Sequence, residues 1–318
     1  MSDTLIQTIG LKKYFDINEK TKLHAVDDVN LSITKGTTLG VVGESGCGKT
    51  TLGRTVLGLI PATEGQVLFE GKDITHPSKR EYEQLRQEMQ IIFQDPYSSI
   101  NPRHSIKKTI AEPLLVNKIV RNKKERMEKV LELMETVGLA ERFADSYPHE
   151  LDGGRRQRVG IARALAVNPK FIVCDEPVSA LDVSIQAQVL NLLMDLQDRM
   201  GLTYMFITHD LSVVRHISTE IAVMYLGQCI ERAPSKELFI HPLHPYTKAL
   251  IMSIPVPDAS ARSKKTEIIK GELTSPINPK PGCRFAGRCP YATPRCTDAD
   301  IPLKEVAPNH FVACILHE

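Results

Sequence analysis

The stretch Gly43-Glu44-Ser45-Gly46-Cys47-Gly48-Lys49-Thr50-Thr51 constrains this chain more than any other. It follows a short apolar run, Thr38 to Val42, and precedes residues at helical spacing, Leu52, Val56, Leu57 and Ile60. It therefore sits at a strand-to-helix turn. There, Gly43, Gly48, Lys49 and Thr50 fit a phosphate-binding loop: glycines let successive backbone N–H groups turn inward, and the following helix aims its positive end at the same anion. Lys49 would lie on the terminal phosphates and the Thr50 hydroxyl on Mg²⁺. The competing reading is a glycine-rich turn with an exposed lysine, and the motifs further along reduce it.

The 318 residues can bury one large core or two modest ones. Lys and Arg number 40 against 38 Asp and Glu, a balance of +2 that is too even to imply nucleic acid or an anionic membrane as the main partner. No apolar run is long enough to span a bilayer, and Met1 to Thr4 is no signal peptide, so a cytosolic protein that docks on something else is expected. The 7 cysteines fit a reducing compartment, where thiols act as core residues or metal ligands.

Ile6 to Phe15 and Val26 to Ile33 alternate as strands do, and on position alone Tyr14 reads as a cross-strand filler. Gln66 to Gly71 and Met89 to Gln94 read as further strands around a charged helix, Lys79 to Glu88. Gln94 to Arg103 has the composition of a loop. Helical character follows to about Tyr147, with Asn122 to Glu125 resembling a capping box, an apolar face through Met127, Val130, Leu131, Met134 and Val137, and Gly138 as the stop. The basic run from Arg121 to Lys129 lacks interleaved aromatics, so it is read as a solvated face. Phe171 to Asp175 is a continuous apolar run ending in the pair Asp175-Glu176, the pattern of a buried parallel strand with carboxylates at its C-terminal end. Asp175 would hold Mg²⁺ through water, and Glu176 would orient or deprotonate an attacking water. A helix capped by Asp182 and closed by Gly201 comes next, then a strand, Leu202 to Thr208, that ends at His209.

Gly43 to Thr51, Gln94, Leu151 to Arg155, Asp175-Glu176, Ser179 to Asp182 and His209, in this order, resemble the motif set of ATP-binding-cassette (ABC) ATPases over roughly the first 250 residues. The resemblance implies an α/β fold of the P-loop NTPase class, with a mixed sheet core, an antiparallel β-subdomain and a helical subdomain at about 100–165. It also implies roles: Tyr14 as adenine platform, Gln94 as sensor of Mg²⁺ and water, Glu176 as catalytic carboxylate, His209 on the γ-phosphate. Asp152, Gly153 and Gly154 would complete the ATP site of a second ATPase subunit. A narrower resemblance, in Gln94 to Arg103, His244 to Leu250, Gly271 to Pro276 and the cysteine tail, is to the ATPase subunits of dipeptide and oligopeptide importers, a group that also serves nickel and glutathione. It implies a peripheral subunit on the cytoplasmic face of the membrane. Its partners would be two transmembrane permease subunits and, indirectly, an extracytoplasmic peptide-binding protein. The rivals are a soluble ABC ATPase not coupled to transport and a non-catalytic iron–sulfur regulatory module that binds ATP.

Two features depart from a plain cassette. Where the family has Leu-Ser-Gly-Gly-Gln, this chain has Leu151-Asp152-Gly153-Gly154-Arg155. An ionised Asp offers only acceptors, and two unit charges about 4 Å apart repel by on the order of 4 kcal/mol at an effective dielectric of about 20. Arg155 would offset this, and Asp152 is a good N-cap in either case. A weakened signature beside intact phosphate-loop residues points to an asymmetric heterodimer.

The second feature is the extension 253–318 that follows a cassette of 1–252. After a Pro-, Ser- and Lys-rich linker with one strand-like piece near Ile268, it carries Cys283, Cys289, Cys296 and Cys314. Four thiols in a segment too short for a core of its own suit Zn²⁺ or an iron–sulfur cluster about equally, and Arg284, Arg288 and Arg295 would keep them deprotonated. The importer resemblance favours a [4Fe-4S] cluster, with Zn²⁺ as the alternative.

Overall fold

The structure is a computed structural model describing residues 3–254 and 275–317. The piece near Ile268, and Gly271 to Thr274 of the importer-like motif, lie outside those residues. The chain divides into two compact units, one of Met1–Thr34, Thr38–His76 and Phe206–Glu318, the other of Lys35–Thr37 and Pro77–Met205.

The first unit opens with β1 (Thr4–Asn18) and β2 (Thr21–Thr34), whose alternating apolar positions pair antiparallel from Thr4 opposite Thr34 to Asn18 opposite Thr21. β3 (Thr38–Val42) is buried at every position, as its unbroken apolar run requires, and leads through the glycine-rich loop into α1 (Lys49–Val56). β4 (Glu64–Phe69) pairs antiparallel with β1, and β5 (Lys72–Asp73) with β4, giving a small sheet of order β2-β1-β4-β5.

In the second unit α2 (Lys79–Glu88) starts with a capping box between Ser78 and Glu81. β6 (Met89–Ile92) runs parallel to the strand Phe171–Asp175, and α3 (Pro96–Ser99), α4 (Ile106–Val116), α5 (Lys123–Thr136) and α6 (Gly153–Leu165) lie between them in the chain. At α5, Asn122 caps through the Lys124 N–H at 2.8 Å. β7 (Phe171–Asp175) is wholly buried, and α7 (Val183–Met200) follows, ending at Gly201. Asp182 holds the N-cap position of α7 but makes no side-chain capping bond, contrary to expectation. β8 (Thr203–Ile207) lies beside β7, with the Thr203 N–H on the Lys170 carbonyl at 3.1 Å.

The chain returns to the first unit at Phe206, within β8, and continues into α8 (Leu211–Ile217). β9 (Glu220–Tyr225) runs parallel to β3 from Leu39 opposite Glu220, and β10 (Gln228–Pro234) turns back antiparallel on β9. α9 (Ser235–Ile240) and α10 (Pro245–Met252) follow. In the tail, β11 (Lys304–Ala307) and β12 (His310–Val312) extend the order to β11-β12-β10-β9-β3, so the described tail residues share a sheet with the strand that feeds the glycine-rich loop. Parallel β3 and β9 next to antiparallel β10, β12 and β11 make this a mixed sheet.

Candidate functional site

The residues singled out in the sequence fall in both units. Tyr14, Gly43 to Thr51 and His209 belong to the first, and Gln94, Asp152 to Gly154, Asp175 and Glu176 to the second.

In the first unit the loop between β3 and α1 is shaped by close backbone approach. Gly48 has φ +103°, and a Cβ there would stand 1.9 Å from the Ala25 carbonyl oxygen, so no other residue fits. Gly48 is also the N-cap of α1 and makes no capping bond, and the first turn holds no acid. The N–H groups that open α1 thus lack a capping side chain, the arrangement that draws an anion. Lys49, 5% exposed, curls back along the loop, its ammonium donating to the Gly43 carbonyl at 2.8 Å and the Glu44 carbonyl at 3.0 Å. The exposed-lysine alternative is excluded. Burial raises the Cys47 thiol, so that residue is a packing element rather than a nucleophile.

Tyr14 does more than fill a cross-strand space. Its ring stacks on His24 at 3.8 Å between centroids, and its hydroxyl donates to the Asp27 carboxylate. Burial alone would raise that carboxyl, yet hydrogen bonds from Tyr14 and His24 and the Arg284 charge hold it below the usual range. His209 is exposed just after β8, where Asp210 caps α8 by accepting from the Ser212 N–H at 2.8 Å.

In the second unit Glu176 follows β7 with φ +47°, a left-handed conformation uncommon for a glutamate and typical of strained functional sites. Gln94, beyond the end of β6, donates from Nε2 to Glu176 Oε2 at 3.1 Å and to Ser179 Oγ at 3.4 Å. Two residues 82 positions apart in the chain, chosen separately from the sequence, are thus in direct contact. Asp175 is buried at the carboxyl end of β7, at 3% exposure. Asp152 caps α6, its Oδ1 accepting from the Arg155 N–H at 2.8 Å, and Oδ2 pairs with Arg155 Nη1 at 2.8 Å. Gly154 lets α6 approach α7, because a Cβ there would lie 2.6 Å from Ile185 Cγ2.

The metal module expected of the tail cysteines is not supported. Among the described residues no group of three or more His, Cys, Asp or Glu side chains is placed to hold a metal ion, and Cys283, Cys289, Cys296 and Cys314 are free thiols. Burial raises the Cys283 thiol to about 11 and those of Cys289 and Cys314 above their ordinary value, and the neighbouring cysteines add to each rise. Arg284 and Arg288, expected to keep the thiols ionised, are spent elsewhere, on Asp27 and Glu44. Neither a [4Fe-4S] cluster nor Zn²⁺ is supported.

Sequence reasoning also missed Tyr246, whose buried hydroxyl accepts the Glu44 N–H at 3.0 Å, and Phe285, wedged edge-on against Tyr225 and Tyr246. Composition gave one hint, a tyrosine and a phenylalanine in segments otherwise poor in aromatics.

Comparison with known proteins agrees with the geometry. The family model described as ABC transporter matches residues 26–179, and that described as oligopeptide/dipeptide transporter, C-terminal region, matches residues 230–296. The chain is 51% identical to the putative oligopeptide transport ATP-binding protein YkfD of Bacillus subtilis (strain 168) over 314 residues, covering 98% of this chain and 95% of the relative. It is 48% identical to the oligopeptide transport ATP-binding protein OppF of Salmonella typhimurium over 320 residues, 98% of this chain and 96% of the relative. Among solved structures, the ATP-binding cassette MJ0796, in a dimeric post-hydrolysis state bound to ADP and Pi, superposes with TM-score 0.66 at 29% identity, over 73% of this chain and 99% of the other.

Proposed function

This chain belongs to the ABC transporter family, in its oligopeptide and dipeptide branch, and on that premise we propose how its residues carry out the work. It is an ATP-binding and ATP-hydrolysing subunit that energises peptide import, and its relatives' function implies membrane permeases as partners. The soluble and the non-catalytic alternatives are not favoured.

The inward N–H groups of Gly43 to Thr51, with Ser45, Gly46 and Thr51 completing the cradle, receive the phosphates, and the Lys49 ammonium turns from the loop carbonyls to the terminal ones. Mg²⁺ is held by a few hydroxyl or carboxylate oxygens together with phosphates rather than by an all-protein cage, so the donor types of Thr50, Gln94 and buried Asp175 suit it. When bound it neutralises charge on the phosphoryl group being transferred. Glu176 orients the attacking water and accepts its proton, Gln94 fixes the Glu176 carboxylate, and His209 contacts the γ-phosphate. The face of Tyr14 turned away from His24 receives the adenine.

The observation that carries this reading is the 3.1 Å contact between Gln94 and the left-handed Glu176, a pair suited to handling water. Glu176→Gln keeps the shape and removes the base. It should lower ATP turnover by about 10²-fold or more while ATP is still bound, as expected for a lost general base. Wild-type turnover in that variant would refute the assignment.

The signature Asp152-Gly153-Gly154 serves the ATP site of a second ATPase subunit, a reading the dimeric state of MJ0796 supports. The Asp152 departure favours a heterodimer in which this chain holds the competent phosphate loop. The pair docks on two transmembrane permease subunits at the cytoplasmic face, fed by an extracytoplasmic peptide-binding protein.

A further inference from the structure

Three side chains converge on Glu44 of the phosphate loop, and two of them come from far along the chain. The Tyr246 hydroxyl accepts its N–H at 3.0 Å, Lys49 donates to its carbonyl at 3.0 Å, and Arg288 Nη1 donates to both carboxylate oxygens, at 3.3 and 3.2 Å. The ion pair is sheltered, with the Arg288 side chain 11% and the Glu44 side chain 24% exposed. Arg288 Nη1 also donates to the Tyr225 hydroxyl at 3.2 Å. Arg284 donates to the Leu226 carbonyl and to the Asp27 carboxylate, the same carboxylate that takes the Tyr14 hydroxyl. Next to Leu226, the Gly227 N–H donates to the Cys47 carbonyl at 2.8 Å. Between the two arginines, Phe285 is 1% exposed and packs edge-on against Tyr225 and Tyr246, both at 5.4 Å.

We propose that the segment from Arg284 to Arg288 is a latch that holds the phosphate loop and the Tyr14 ring in nucleotide-receiving form. Arg288 acts through Glu44 and Arg284 through Asp27, so both are positioning residues. A loop rich in left-handed residues loses order on binding unless something else holds it, and a sheltered ion pair beside a buried aromatic wedge does so before ligand arrives. Removing Arg288 leaves the Glu44 carboxylate poorly solvated and uncompensated, which frees the loop to rearrange. The effect falls on nucleotide affinity rather than on the chemical step. This inference rests on the reading of residues 43–51 as the nucleotide loop.

The test is photolabelling of this subunit, in the assembled transporter, by an azido-ATP analogue, together with turnover at saturating ATP. Arg288→Ala and Glu44→Gln should each raise the analogue concentration for half-labelling by roughly tenfold. The double variant should be no worse than the weaker single one, because both remove the same interaction. Arg288→Lys should recover part of the loss, and turnover of the two Arg288 variants at saturating ATP should stay within about twofold of wild type. Multiplying effects in the double variant, or lowered turnover with unchanged affinity, would overturn the latch. Should Arg288→Ala fail to assemble, Glu44→Gln and Arg288→Lys decide the matter, since wild-type affinity in both also overturns it. Failure of the wild-type chain to label, or labelling that survives Lys49→Ala, would instead overturn the nucleotide reading.

Discussion

Asp152 joins an observed capping role to the proposed role at a partner's ATP site. As an N-cap it is ideal, because its Oδ1 accepts the Arg155 N–H at 2.8 Å. Toward a phosphate it offers only acceptors, and the Arg155 guanidinium at 2.8 Å offsets its charge without restoring a hydroxyl donor. Both side chains are about half exposed, so the offset is screened and incomplete. Asp152→Ser in the assembled transporter should therefore raise ATP turnover or nucleotide-driven dimerisation, and no change in either would count against an asymmetric pair. The cap was legible because it spans three residues. The Arg288–Glu44 pair spans 244 and the Arg284–Asp27 pair 257, and no periodicity or local motif encodes such separations. Neighbouring cysteines made both arginines look like thiolate partners, an inference from adjacency that three-dimensional packing overrode.

Among the elements, those with unbroken apolar runs or glycine stops were readable. β3 and β7 fall where the hydrophobic pattern put them, and α2 and the end of α7 match closely. β9 carries a similar signal, five buried positions after Glu220, and was passed over, whereas β11 is exposed throughout and gives no pattern to read. α10 has its own chemistry. His244 caps it by accepting the Tyr246 N–H at 3.0 Å, and the ring is fully buried. Burial lowers its pKa from 6.5 to about 4, with the Glu231 charge opposing the shift and His317 and Lys248 adding to it. A depressed folded-state value means the unfolded chain takes up the proton first, so this stability is present above pH 6.5 and is lost as pH falls toward 4. The loss amounts to about 3 kcal/mol. Urea unfolding at pH 7 and pH 5 should show a steeper decline for the wild type than for His244→Asn, which keeps a capping oxygen but cannot titrate there. Parallel declines would refute the assignment.

For the whole molecule, the described tail is built into the first unit, where β12 extends the sheet of β10, β9 and β3. That gives a segment too short for its own core a place to pack: Phe285 and Val312 join the unit's core, and Glu231, fully buried, accepts from the Leu243 and His244 N–H groups and bonds His310. Among the described residues no helix is long and apolar enough to cross a membrane. The central claim is that phosphate held by the loop at Lys49 drives that work. ATP-driven uptake of a labelled peptide into vesicles carrying the assembled transporter tests it most directly. The account predicts that Lys49→Ala in this subunit abolishes uptake while the complex stays assembled, and undiminished uptake would contradict it.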